Sequence, residues 1–143
     1  MLLDLALGTL IISLTVLIHT FGLIGVTHAM NWLTDKVRHY GQRSRLLAMN
    51  SVVLGIFAIL TVEVWLWAVC YLALGVFGDL ETALYFSTSS FSTVGYGDVV
   101  IEKDWRLLAA LESINGFLLI GWSTAYLIAA SMRVGPFRSG EHF

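Results

Sequence analysis

Ser92-Thr93-Val94-Gly95-Tyr96-Gly97-Asp98 is the stretch on which the fold turns. It lies between two long apolar segments, residues 46–77 and 107–132, each interrupted by a single acid, Glu63 and Glu112. Glycine reaches left-handed backbone conformations without a steric penalty. With Gly95 and Gly97 at alternate positions, the chain can alternate between right- and left-handed residues and turn successive carbonyls toward one axis. Thr93 adds a hydroxyl oxygen to its carbonyl at one end of that row. Backbone of this kind is tolerated at membrane depth only where protein buries it or water lines it. The competing reading is an ordinary glycine-rich turn between two membrane helices.

Composition supplies the membrane. Of 143 residues, 57% are hydrophobic and 13% charged, where a soluble domain carries roughly a quarter charged. Mean hydropathy is +0.80. A 15.8 kDa globule could not bury so much apolar surface. Net charge is −2, from 8 basic and 10 acidic residues, so no basic surface points to nucleic acid. The single Cys70 can form no intrachain disulfide and suggests no zinc site. No internal repeat or low-complexity tract is present.

A third apolar run precedes the other two. Residues 5–34 hold no Asp, Glu, Lys or Arg over 30 positions, more than the roughly 20 that a spanning helix needs. It lacks the basic start of a cleaved signal peptide and is too long for one, so a retained helix is expected. Residues 35–45 carry Lys36, Arg38, Arg43 and Arg45, and the tail adds Arg133 and Arg138. Six of the eight basic residues thus fall on one side, which the positive-inside rule makes cytoplasmic. The N-terminus is expected outside and the C-terminus inside the cell membrane. Residues 79–106 then face outward with Asp79, Glu81, Asp98, Glu102 and Asp104 against Lys103 and Arg106. Within them, residues 79–91 read as a short helix that dips into the membrane, with Asp79 as N-cap and Glu81 at the positive end of the dipole.

The string Thr93 to Gly97 matches the selectivity filter of potassium channels, whose backbone carbonyls replace the water around an ion. At roughly 1 in 20 per position, a given six-residue string such as Thr93 to Asp98 arises by chance in this length on the order of once in a few hundred thousand chains. Residues 46–132 resemble the pore module of that family, in particular the bacterial two-helix type. The resemblance implies an outer helix (46–78), a pore helix (79–91), a filter (92–98) and an inner helix (105–132). Residues 1–34 are expected to form an additional N-terminal helix, 35–45 a basic linker and 133–143 a short tail, with no cytoplasmic ligand-binding domain expected. The fold class expected is therefore an all-α membrane protein with three transmembrane helices, a re-entrant pore helix and a filter loop, assembled as a fourfold symmetric homotetramer. The resemblance assigns K⁺ to the carbonyls of Thr93, Val94, Gly95 and Tyr96, with Gly97 and Asp98 in support. No cofactor is implied beyond the permeant ion. Tyr85 and Phe86 match the family's aromatic pair, which forms a cuff around the filter.

Ser89 departs from the pattern, because some bacterial channels carry there a glutamate bonded to the filter aspartate. Tyr85 is expected to reach Asp98 instead, and Glu112, about 10 Å along its helix from Trp105, to brace the pore helix from behind. An intramembrane acid is a functional candidate, and a structural hydrogen bond is the alternative. Gly116 and Gly121 are candidate gating hinges, but they lie 140° apart on a helix and cannot serve one face. His19 and His28, nine residues apart, do not share the i, i+4 face of a helical metal site. Whether His19 meets Glu63 is open. No regularly spaced arginines mark a voltage sensor, and no nucleophile–base pair marks an enzyme. A passive potassium-selective channel is the leading expectation. A potassium transporter subunit, a weakly selective cation channel and a non-conducting scaffold are the alternatives.

Overall fold

The computed structural model describes residues 1–36, 42–101 and 103–134. Among them are four α-helices: α1 (Leu2–Lys36), α2 (Gln42–Ala73), α3 (Leu80–Phe91) and α4 (Arg106–Val134). A 3₁₀ turn, Lys103–Trp105, leads into α4. Among the described residues three stretches are long and apolar enough to cross a membrane: Leu2–Leu33, Arg45–Ala73 and Lys103–Arg133. At 12 residues, about 18 Å, α3 is too short to cross. Of the basic residues expected on the cytoplasmic side, Arg38 and Arg138 lie outside the described residues, as do the side chains of Lys36 and Arg43. Glu102 of the acidic set is also outside them.

Local chemistry explains where the helices stop. Gly75 adopts φ +69° just past α2, and its N–H donates to the Leu72 carbonyl while that of Val76 donates to Tyr71. This pairing of two returning N–H groups around a left-handed glycine terminates a helix. It ends α2 at Ala73, five residues before the expected boundary at 78. Asp79 then caps α3, its carboxylate accepting from the Thr82 N–H and hydroxyl, each at 2.8 Å. The Thr82 backbone N–H is the main reason the Asp79 carboxyl is held below the usual carboxylate range.

The long helices pack by notches and polar rungs. A Cβ on Gly22 would lie 2.6 Å from Ile59, and one on Gly55 would lie 2.6 Å from Val26, so small residues let α1 and α2 close together. Those pairs run in opposite chain directions, making α1 and α2 antiparallel. Against α4 the order is the same in both helices: Thr15 with Asn115, His19 with Ser123, Thr27 with Tyr126. The N-terminal end of α1 therefore lies level with the start of α4 and with the 92–98 loop. One apolar core gathers Trp67, Tyr71, Phe86, Phe91, Leu108 and Leu119 around α3. A second, at the far end, holds Leu23, Met30, Val52, Ile56 and Ile59.

Candidate functional site

The 92–98 loop begins where α3 runs out of helical partners. The Ser92 N–H returns to the Thr88 carbonyl at 3.1 Å and the Thr93 N–H to Ser90 at 3.0 Å. Beyond that point positive φ recurs at every second residue: Thr93 at +61°, Gly95 at +55° and Gly97 at +78°. The glycines are the residues the sequence marks for this conformation. Thr93 is not, since a β-branched residue at positive φ is a genuine outlier. No signal in the residue type foretold it.

Ser89 fixes the middle of the loop. Its carbonyl accepts the Gly95 N–H at 3.1 Å, and its hydroxyl accepts the Tyr96 N–H at 3.3 Å. Two successive backbone donors are thereby committed to the α3 side. The residue that is too short to replace a glutamate holds the loop by its own backbone and hydroxyl. Farther along, the Tyr85 hydroxyl donates to Asp98 Oδ2 at 2.7 Å, the contact expected from the sequence. That bond is the main cause holding the Asp98 carboxyl below its usual range and pushing the Tyr85 phenol above its own. Asp98 also accepts the Val99 N–H at 3.0 Å. The side chains of the loop point out of the subunit: Val94 is 54% and Tyr96 74% exposed.

Behind α3 lies a buried polar junction. Glu112 of α4 is fully buried, with the Tyr71 hydroxyl of α2 donating to Oε2 at 2.6 Å. The Ser87 hydroxyl of α3 lies 2.5 Å from Glu112 Oε1 and 3.0 Å from the Val64 carbonyl. One acid thus ties α2, α3 and α4 together. Phe86, beside Ser87, is buried edge-on against Tyr71 at 5.4 Å between centroids. Gly116 lets α4 approach this end of α3, because any Cβ there would collide with the Phe91 carbonyl. Gly121 faces open space, and α4 runs unbroken through both glycines.

The α1 seam is a second polar feature, and the sequence did not disclose it. His19 Nδ1 and Glu63 Oε1 are 3.0 Å apart, both fully buried, and Ser123 Oγ is 3.4 Å from His19 Nε2. The Asn115 amide donates to the Thr15 hydroxyl at 2.9 Å, and Thr27 meets Tyr126 at 2.8 Å. At 100° per residue, Asn115, Leu119, Ser123 and Tyr126 fall within about 80° on α4. The exposed Phe117, Gly121, Thr124 and Ile128 fall on the opposite side. Among the described residues no cluster of His, Cys, Asp and Glu could hold a metal ion.

A family model described as ion channel matches residues 57–133, more than half of the chain. Searches of curated proteins and of solved structures give no match. The matched region takes in the C-terminal half of α2, all of α3, the 92–98 loop and nearly all of α4. The chain belongs to that ion channel family, the potassium channel pore family its sequence resembles.

Proposed function

From membership of the potassium channel pore family, we propose that four copies of this chain surround one pore and conduct K⁺ passively and selectively across the cell membrane. The observation that carries the reading is the alternation of φ at Thr93, Gly95 and Gly97, with the intervening N–H groups of Gly95 and Tyr96 tied back to Ser89. A strand whose donors are held on one side is suited to offer the carbonyls of Thr93, Val94, Gly95 and Tyr96 on the other. Those carbonyls are the proposed K⁺ sites, and 92–98 is the selectivity filter.

One strand supplies oxygen from one side only, whereas a dehydrated ion must be surrounded. Fourfold cyclic symmetry meets that need, giving about 63 kDa from four 15.8 kDa subunits. The exposed Val94 and Tyr96 side chains then have neighbouring subunits to pack against, and α3 becomes a re-entrant pore helix. Its C-terminal dipole, near Phe91, favours a cation in the cavity beyond. Since α1 holds one face of α4, the opposite face, with Phe117, Gly121, Thr124 and Ile128, lines the inner pore. The N-terminus and the filter share the outer side, and Asp79, Glu81, Asp98 and Asp104 concentrate cations there without choosing among them.

Flux through purified protein in liposomes tests the reading. Passive K⁺ flux that greatly exceeds Na⁺ flux supports it. Equal fluxes would make the protein a weakly selective cation channel, slow saturating turnover a transporter, and no flux a scaffold.

A further inference from the structure

Ser87 has one hydroxyl hydrogen and two oxygens to give it to. Its Oγ lies 2.5 Å from Glu112 Oε1 and 3.0 Å from the Val64 carbonyl. The carbonyl can only accept, and an ionised carboxylate also only accepts. A hydrogen shared between them would bend both bonds, and bonds weaken steeply away from linearity. A hydroxyl given wholly to an ionised carboxylate reaches about 2.5–2.7 Å, but it then leaves the 3.0 Å contact with the Val64 carbonyl without a hydrogen. Tyr71 offers no relief, because its hydroxyl is committed to Oε2 at 2.6 Å. The count closes if Glu112 itself carries a proton, since a protonated carboxyl has one O–H to donate.

We infer that Glu112 is a neutral carboxylic acid whose proton completes a directed chain behind the filter: Tyr71 donates to Oε2, Oε1 donates to Ser87, and Ser87 donates to the Val64 carbonyl. The surroundings agree. Glu112, Tyr71 and Ser87 are fully buried, and an isolated buried carboxylate is costly. Among the described residues no ion pair brings a cation to Glu112. The titratable groups in electrostatic reach, Cys70 and Tyr71, both come from α2 and carry no positive charge. The partner from α3 is the neutral Ser87, and no charged group of α1 acts on Glu112.

Loss of the proton to water at high pH leaves a carboxylate that takes the Ser87 hydrogen, and the Val64 carbonyl keeps only its helical N–H partner. The direct hydrogen bond between α3 and α2 is then lost two residues before Ser89, the residue holding Gly95 and Tyr96. Glu112 is thus a positioning residue that acts on the filter through Ser87. Its effect on flux rests on the channel reading above, whereas its protonation does not.

Infrared spectroscopy of the purified full-length protein tests the proton directly. At neutral pH the protein should show the C=O stretch of a protonated carboxyl that Glu112→Gln lacks, and the band should vanish on alkalinisation. No difference between the two proteins at neutral pH would overturn the inference. Ser87→Ala, which removes the acceptor, should move the band to higher frequency; an unmoved band would overturn the directed chain even if Glu112→Gln did not assemble. In liposomes, K⁺ flux should fall about tenfold as the band disappears. In Glu112→Gln, whose amide cannot titrate, flux should have no such fall; an equal fall would overturn the link to the filter. A protein that shows the band and conducts at no pH would sink the channel reading and leave the proton in place.

Discussion

The 92–98 loop and the seam between α1 and its neighbours are both polar interruptions of an apolar chain, built from opposite materials. The loop is exposed backbone, held by main-chain N–H groups on Ser89 and by the sign of φ at three residues. The seam is buried side chain, held by His19, Glu63, Asn115 and Ser123 with less than a tenth of each exposed. Backbone shape is encoded by which residue types stand next to one another, so a short string can announce it. A buried seam depends on which faces of distant helices meet, and no local pattern announces that. On the proposed reading the contrast also divides the work: the loop sets which ion passes, and the seam sets how firmly the subunit is held around it.

The contrast breaks most visibly at Gly95. Within the subunit a Cβ there meets nothing within 4 Å, so Gly95→Ala tests backbone conformation rather than crowding. A left-handed conformation costs an L-residue about 1–2 kcal/mol, a cost that recurs at each of the four strands of the proposed tetramer. K⁺ flux should be abolished while the tetramer persists by mass measurement. Retained selective flux would mean that φ at 95 is not what the site requires.

The seam should respond the other way. His19→Ala removes one partner of a fully buried pair and leaves Glu63 without it, a loss of about 3 kcal/mol. Thermal stability in detergent should drop sharply, with the K⁺/Na⁺ ratio of surviving channels unchanged. A changed ratio would join the two regions that the structure keeps apart. Asn115→Ala, which removes a rung to Thr15, should cost about 1 kcal/mol with selectivity again preserved.

The smallest effect is expected at the rim. Tyr85→Phe removes the hydroxyl that holds the Asp98 carboxyl below its usual range. Asp98 should then titrate closer to an ordinary carboxylate, losing its charge at a higher pH as the solution is acidified. A carbon-13 NMR titration of labelled aspartate reads this, and an unmoved Asp98 would remove Tyr85 from its support.

What the sequence disclosed follows the same division. Three apolar runs specified three membrane-spanning candidates, and Asp79 with the following Glu81 specified the start of α3. The Gly95 and Gly97 positions specified left-handed backbone, because few other residues reach it without strain. Thr93 was hidden, since a β-branched residue seldom adopts the positive φ found there. The 30-residue run of α1 has no charged residue to distinguish one face from another, so the meeting of His19 with Glu63 had no precursor in spacing. Glu112 was visible as an acid at depth; its partners Ser87 and Tyr71 came from two other helices and were not. Gly116 reads as a hinge from sequence, yet its lack of a side chain is needed where α4 crosses the Phe91 carbonyl.

The most direct test of the central claim is the reversal potential of the unmodified protein in a planar bilayer, with K⁺ on one side and Na⁺ on the other. If four strands of Thr93 to Tyr96 carbonyls choose the ion, the potential should lie close to the K⁺ equilibrium value. A potential near zero, tracking both ions equally, would contradict it.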